Sequence, residues 1–138
     1  MNVAVRYYTR GGNTKKVADA IAGELGVEAL DITNEVKDAD VLFIGASMYA
    51  FKVDKNIKDF VNNLKQENAK KIAVFSTSAS DTSTHKKIKK CIKDKSIVII
   101  DEYFSAPGAF LKMNKGRPND TDLDNAKKFA TEVVKKYS

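Results

Sequence analysis

The chain has 138 residues, 43% hydrophobic and 30% charged, enough apolar material for a buried core beneath a charged surface, and a single domain over residues 1–138 is expected. No apolar run approaches the roughly 18–20 residues of a membrane-spanning helix, and the N-terminus lacks the charged start and long apolar stretch of a secretion signal, so the cytoplasm is the expected location. The formal net charge of +6 invites a nucleic-acid or acidic partner, but there is no glycine–aromatic RNA-recognition strand and no Cys/His finger spacing.

In chain order, residues 1–8 are apolar and β-prone and end in a Gly-Gly turn, which predicts a first strand. Residues 13–25 read as a helix: Val17, Ile21, Ala22 and Leu25 share one face, and Gly26 follows as a C-terminal stop. A short second strand is expected over 27–32, then no more than a turn or two of helix over 33–40. Residues 41–47 are almost continuously apolar, the pattern of a parallel strand buried on both faces. Val53, Ile57, Phe60, Val61 and Leu64 mark a second helix, and residues 71–76 a fourth strand. Asp81, Thr82, Ser83 and Thr84 then offer N-caps for a lysine-rich helix running to about Asp94.

Ile97, Val98, Ile99 and Ile100 centre a fifth strand over 96–104. Residues 105–119, broken by Pro107, Gly108, Gly116 and Pro118, read as a loop. The last helix is expected from about Thr121, with Thr121 and Asp124 spaced like a capping box, and it buries Leu123, Ala126, Ala130, Val133, Val134 and Tyr137. Five strands with interleaved helices imply an α/β fold, a parallel sheet covered on both faces. Ligands in such sheets bind beyond the carboxyl ends of the strands. That singles out the loops 9–14, 47–53 and 76–84.

The first loop is Thr9, Arg10, Gly11, Gly12, Asn13 and Thr14. Two glycines allow positive φ and close backbone approach, and the free N–H groups of the following helix favour an anion. Thr9, Asn13 and Thr14 can add side-chain hydrogen bonds. The loop is neither a Walker loop nor G-x-G-x-x-G. Spacing alone fits a phosphate cradle and a plain Gly turn with an Asn/Thr cap equally well.

Here the chain resembles the flavodoxin family. Thr9, Gly12 and Thr14 match that family's phosphate pattern Ser/Thr-x-Thr-Gly-x-Thr, and Asn13 is common at its variable position. Gly11 departs, standing where a second hydroxyl is expected; Arg10 could replace it with charge-assisted bonds or point to water. The stretch VLFIGASMYAFKVDKNIKDFV is similar to the short flavodoxin-like proteins, as is Gly-Arg-Pro at 116–118 before the last helix. The resemblance implies a flavodoxin-like three-layer sandwich with strand order 2-1-3-4-5 and bound flavin mononucleotide (FMN). It implies that Ser47, Met48, Tyr49, Ala50 and Phe51 wrap the isoalloxazine ring, with Tyr49 the first stacking candidate and Phe51 the second; a core role for Tyr49 is the alternative. Ser76, Thr77, Ser78 and Ala79 would give backbone contacts to the flavin edge, although the glycine and aromatic common there in flavodoxins are missing.

The implied function is electron transfer between redox partner proteins, a reductase or an acceptor, with the chemistry carried by the cofactor. Flavodoxins are commonly acidic and this chain is basic, so a less negative low potential is expected. The alternatives are a small FMN-dependent quinone or protoporphyrinogen-type oxidoreductase, and a cofactor-free binding module on the same scaffold. A response-regulator receiver is excluded: Tyr8-Thr9 and Ser47-Met48 stand where its acidic residues belong. Cys91 cannot form an internal disulfide, and with His85 the only histidine no metal site is expected. The lysines of residues 86–95 read as a solvated helix face, a docking face for an acidic protein, or a nucleic-acid contact.

Overall fold

Alternating burial along the strands builds the architecture. The structure, a computed structural model, describes residues 1–49, 52–78, 84–108 and 116–138; of Met48, Tyr49, Lys52 and Ser78 it describes the backbone only. The elements are β1 (Val3–Tyr7), α1 (Asn13–Leu25), β2 (Ala29–Asp31), β3 (Ala39–Tyr49), β4 (Lys52–Val53), α2 (Lys55–Asn62), β5 (Ala69–Ser78), α3 (Thr84–Cys91), β6 (Val98–Pro107) and α4 (Asp120–Tyr137). The parallel sheet runs β2-β1-β3-β5-β6, the expected 2-1-3-4-5 order, with β4 paired antiparallel to the end of β3.

Successive residues of a strand point to opposite faces. Val41 and Phe43 therefore pack with Val17, Ile21, Ala126 and Ala130 beneath α1 and α4, while Leu42, Ile44 and Ala46 pack with Ile57, Val61 and Ile88 beneath α2 and α3. The uninterrupted apolar run at 41–44 is thus two cores read alternately. Gly45 sits in the middle strand because a Cβ there would penetrate the ring of Phe75.

Several boundaries differ from the expectation. Strand β3 continues through Tyr49, where Met48 and Tyr49 pair with Val53 and Lys52, and β5 through Ser78, where Thr77 and Ser78 pair with Ala106 and Pro107. Strand β6 likewise reaches Pro107, paired with Ser78. Between Ile72 and Val74 the register on β6 jumps from Ile99 to Tyr103, a bulge whose Glu102 accepts from Tyr137 Oη at 2.7 Å and Lys136 Nζ at 2.9 Å, tying the edge strand to α4. The second helix begins after Asp54, so Val53 belongs to β4.

The capping box of α4 is Asn119 with Asp122, not Thr121 with Asp124. Asp122 accepts from Asn119 N at 2.8 Å and takes a bidentate grip from Arg117, Nε at 2.6 Å and Nη2 at 2.7 Å, which fixes the helix start one residue earlier. The Arg117 bonds, outweighing desolvation, together with the Asn119 N–H hold the Asp122 carboxyl below its usual range. Among the described residues no helix is long and apolar enough to cross a membrane.

Candidate functional site

The first loop leaves β1 at the carboxyl edge of the sheet and enters α1 through Gly12, whose φ of 88° lies in the left-handed region that suits glycine. Thr9 Oγ1 accepts from Gly12 N at 2.9 Å and tightens the turn. The N-cap of α1 is Gly12, which has no side chain to cap the helix. Its first-turn N–H groups are therefore an anion-directed set, with the positive end of the helix dipole behind them.

Three hydroxyls converge beside that helix end. Thr14 Oγ1 lies 2.6 Å from Ser47 Oγ and 2.8 Å from Thr77 Oγ1, and Ser47 and Thr77 are 3.0 Å apart. Thr14 and Thr77 are buried and Ser47 is half-exposed. Each hydroxyl has one donor and two lone pairs, so three can satisfy one another in a closed ring, and rotation of the O–H bonds can re-aim donors at an incoming anion. The cluster joins residues from all three loops. It places Ser47 beside Thr14 rather than further along its own loop.

Strand pairing revises the second and third loops. The backbone of Met48 and Tyr49 pairs with Val53 and Lys52 in a short hairpin, where an open loop was expected. Ser76 and Thr77 pair with β3 on one side and β6 on the other, so their backbones belong to the ladder; Thr77 instead contributes its hydroxyl. Ala50, Phe51 and Ala79 lie outside the described residues, as do the side chains of Met48, Tyr49 and Ser78.

Arg10 is paired although its side chain is 60% exposed: its Nη2 lies 2.6 Å from Asp54 Oδ2, whose side chain is only 3% exposed. Asp54 is the N-cap of α2 and accepts from Asn56 N at 2.8 Å, and Asn56 Nδ2 donates to Tyr8 Oη at 3.1 Å. This chain of polar contacts binds the first loop to the start of α2. Burial pushes the Asp54 carboxyl up, but the Asn56 N–H and the Arg10 guanidinium outweigh it, and the net direction is down. A carboxyl lowered by folding stabilises the fold above its unfolded value near 4 and ceases to do so as pH falls through its folded value. Arg10→Ala removes one cause of that lowering. Its acid-unfolding midpoint, followed by circular dichroism, is expected at higher pH than wild type; an unchanged midpoint counts against the coupling.

One further residue joins the site. Gly108, buried at the end of β6, lies so close to the first loop that a Cβ would stand 3.2 Å from Asn13 Nδ2 and 3.4 Å from Thr77 Cβ. Pro107-Gly108 was the sequence signal, but a loop reading gave it no address. Thr84, offered above as a cap, is instead the first residue of α3; it is fully buried, and its Oγ1 has no hydrogen-bond partner among the described residues. His85, one residue on, stacks on Tyr103 at 5.0 Å and bonds the carbonyl of Ile100 through Nε2 at 2.8 Å. Among the described residues no group of His, Cys, Asp or Glu is arranged to hold a metal.

An uncapped helix N-terminus, a left-handed glycine and three re-orientable hydroxyls fit a phosphate group. The donors are neutral, so affinity would come from many hydrogen bonds and the dipole rather than from a cationic clamp.

Residues 4–133 match the family model described as a flavodoxin domain. An uncharacterised protein of Methanocaldococcus jannaschii is 29% identical over 137 residues, covering 89% of this chain and 91% of that protein. The chain superposes on a flavodoxin from the domain Archaea with a TM-score of 0.79 at 20% identity, covering 99% of both chains. It superposes on oxidised Flavodoxin 2 from Bacillus cereus with a TM-score of 0.74 at 18% identity, covering 99% of this chain and 100% of that one.

Proposed function

The chain belongs to the flavodoxin domain family, and from that premise we propose that it binds FMN and carries electrons between redox proteins in the cytoplasm. The observation that carries this reading is the meeting of Thr14, Ser47 and Thr77 at the uncapped start of α1. The N–H groups of the first turn of α1 and the hydroxyls of Thr9, Thr14, Ser47 and Thr77 would hold the cofactor phosphate. Tyr49 and Phe51 are the aromatic side chains assigned to the ring by the family resemblance. Bound flavin supplies the one- and two-electron chemistry. The protein's own part is to bind and orient it and to set the field around it. Arg10 supports the loop through Asp54, a role different from direct replacement of the missing hydroxyl at Gly11.

The visible absorption spectrum of the purified protein, before and after adding FMN, tests this. A flavin band that stays with the protein through gel filtration supports it. A colourless protein that takes up no FMN points to a cofactor-free module. Turnover of NAD(P)H or a quinone without a reductase points to an enzyme.

The field has a readable consequence. Lysine-rich α3 starts at the end of the third loop, and positive charge near a bound flavin favours its more negative reduced state. The low potential is therefore expected to be less negative than that of an acidic flavodoxin, by potentiometric titration. An equal or more negative value removes this idea.

A further inference from the structure

The charge of this chain is concentrated on one surface. Residues 84–95 hold six lysines against one aspartate, a formal +5 of the total +6. The opposite layer is balanced: α1 carries two lysines and two carboxylates, and α4 four of each. Elsewhere lysines find carboxylates, as in Lys15 with Asp19, Lys55 with Asp59, Lys70 with Asp40 and Lys136 with Glu102. The exposed Lys86, Lys89, Lys90 and Lys93 have no carboxylate within ion-pair distance among the described residues.

Position adds meaning to the charge. Helix α3 begins where β5 leaves the carboxyl edge of the sheet, so the patch starts at the rim of the candidate site and runs about 12 Å along the helix. Beside it, on the open edge strand, Tyr103 is 49% exposed and stacked on His85. An exposed, immobilised aromatic bordered by unpaired cations has the make-up of a protein-docking patch, an anchor within a charged rim.

We propose that α3 and Tyr103 form the docking surface for a redox protein of strongly negative charge, which brings its redox centre to the edge of the bound flavin; this rests on the function proposed above. Complementary charge steers and speeds encounter while leaving it short-lived, as a carrier requires. The chemistry of the patch favours an acidic protein over a nucleic acid. All three arginines of the chain are engaged elsewhere: Arg6 with the carbonyls of Val5, Asn34 and Glu35, Arg10 with Asp54, and Arg117 with Asp122. The patch is thus lysine only, compact hydrated charges suited to diffuse contact with carboxylates and lacking the planar fork that reads bases and grips phosphates.

The test uses the ¹⁵N-labelled protein as purified, with its flavin content read from absorbance in the same tube. It is titrated at low salt with a ferredoxin of strongly negative net charge, a cytochrome c of positive net charge, and decathymidylate. The ferredoxin is expected to shift amide signals of residues 84–95 and Tyr103, with binding lost as salt is raised. Lys86→Glu, Lys89→Glu and Lys90→Glu together are expected to weaken it by more than about tenfold, and the three Lys→Gln changes by an intermediate factor. Ferredoxin shifts confined to other surfaces, no binding, or tighter binding of decathymidylate on α3 overturns the proposal. Because docking is read from charge and shifts, a colourless protein that still docks the ferredoxin sinks the carrier reading alone.

Discussion

Thr14→Val is expected to weaken FMN binding by roughly ten- to a hundredfold, because a hydrogen bond to a charged group contributes about 1.5–3 kcal/mol and each 1.4 kcal/mol is a factor of ten. Valine has nearly the shape of threonine, so the fully buried site keeps its packing. Ser47 and Thr77 remain 3.0 Å apart and still bond each other, so no buried hydroxyl is orphaned by the change. The expected signature is therefore a large loss of affinity with little loss of stability. Flavin fluorescence quenching gives the affinity and urea denaturation the stability. Affinity within twofold of wild type would mean that the backbone N–H groups alone hold the phosphate.

Gly45→Ala is the stability counterpart. Gly45 lies in the central strand, paired with Tyr7 on one side and Phe75 on the other, and the Phe75 ring occupies the space a Cβ needs. Overpacking a core of this kind costs about 1–3 kcal/mol. The ring is fully buried and has no open side to move toward. Phe75→Leu should restore part of the loss, so the double mutant should be more stable than the two single effects predict. Urea denaturation of the four proteins measures the coupling. A Gly45→Ala protein as stable as wild type would refute the close-packing account.

The sequence was legible where burial and chemistry agree. The run at 41–44 is apolar because both faces of β3 are covered, and the strand order is the one the flavodoxin resemblance implies. It was misleading where a strand carries polar residues for a purpose. Thr77 and Ser78 look like loop residues, yet both are held in paired strands, and the pairing of Thr77 with Ser47 is what brings their hydroxyls together. Arg10 and Asp54 are 44 residues apart, so no local pattern could join them. The cap of α4 was misassigned because Arg117 draws Asp122 into the box ahead of Thr121.

The closed ring of Thr14, Ser47 and Thr77 has a consequence for supply. The three hydroxyls satisfy one another without the cofactor, so its absence leaves none of them buried and unpaired. The empty and loaded proteins should then be two stable forms of one fold, exchanging cofactor with the surrounding pool. The melting temperature should rise with free FMN by simple mass action, gaining about 2.7 kcal/mol at a hundred times the dissociation constant. A chain built in this way can wait for its cofactor after synthesis and reload it after loss.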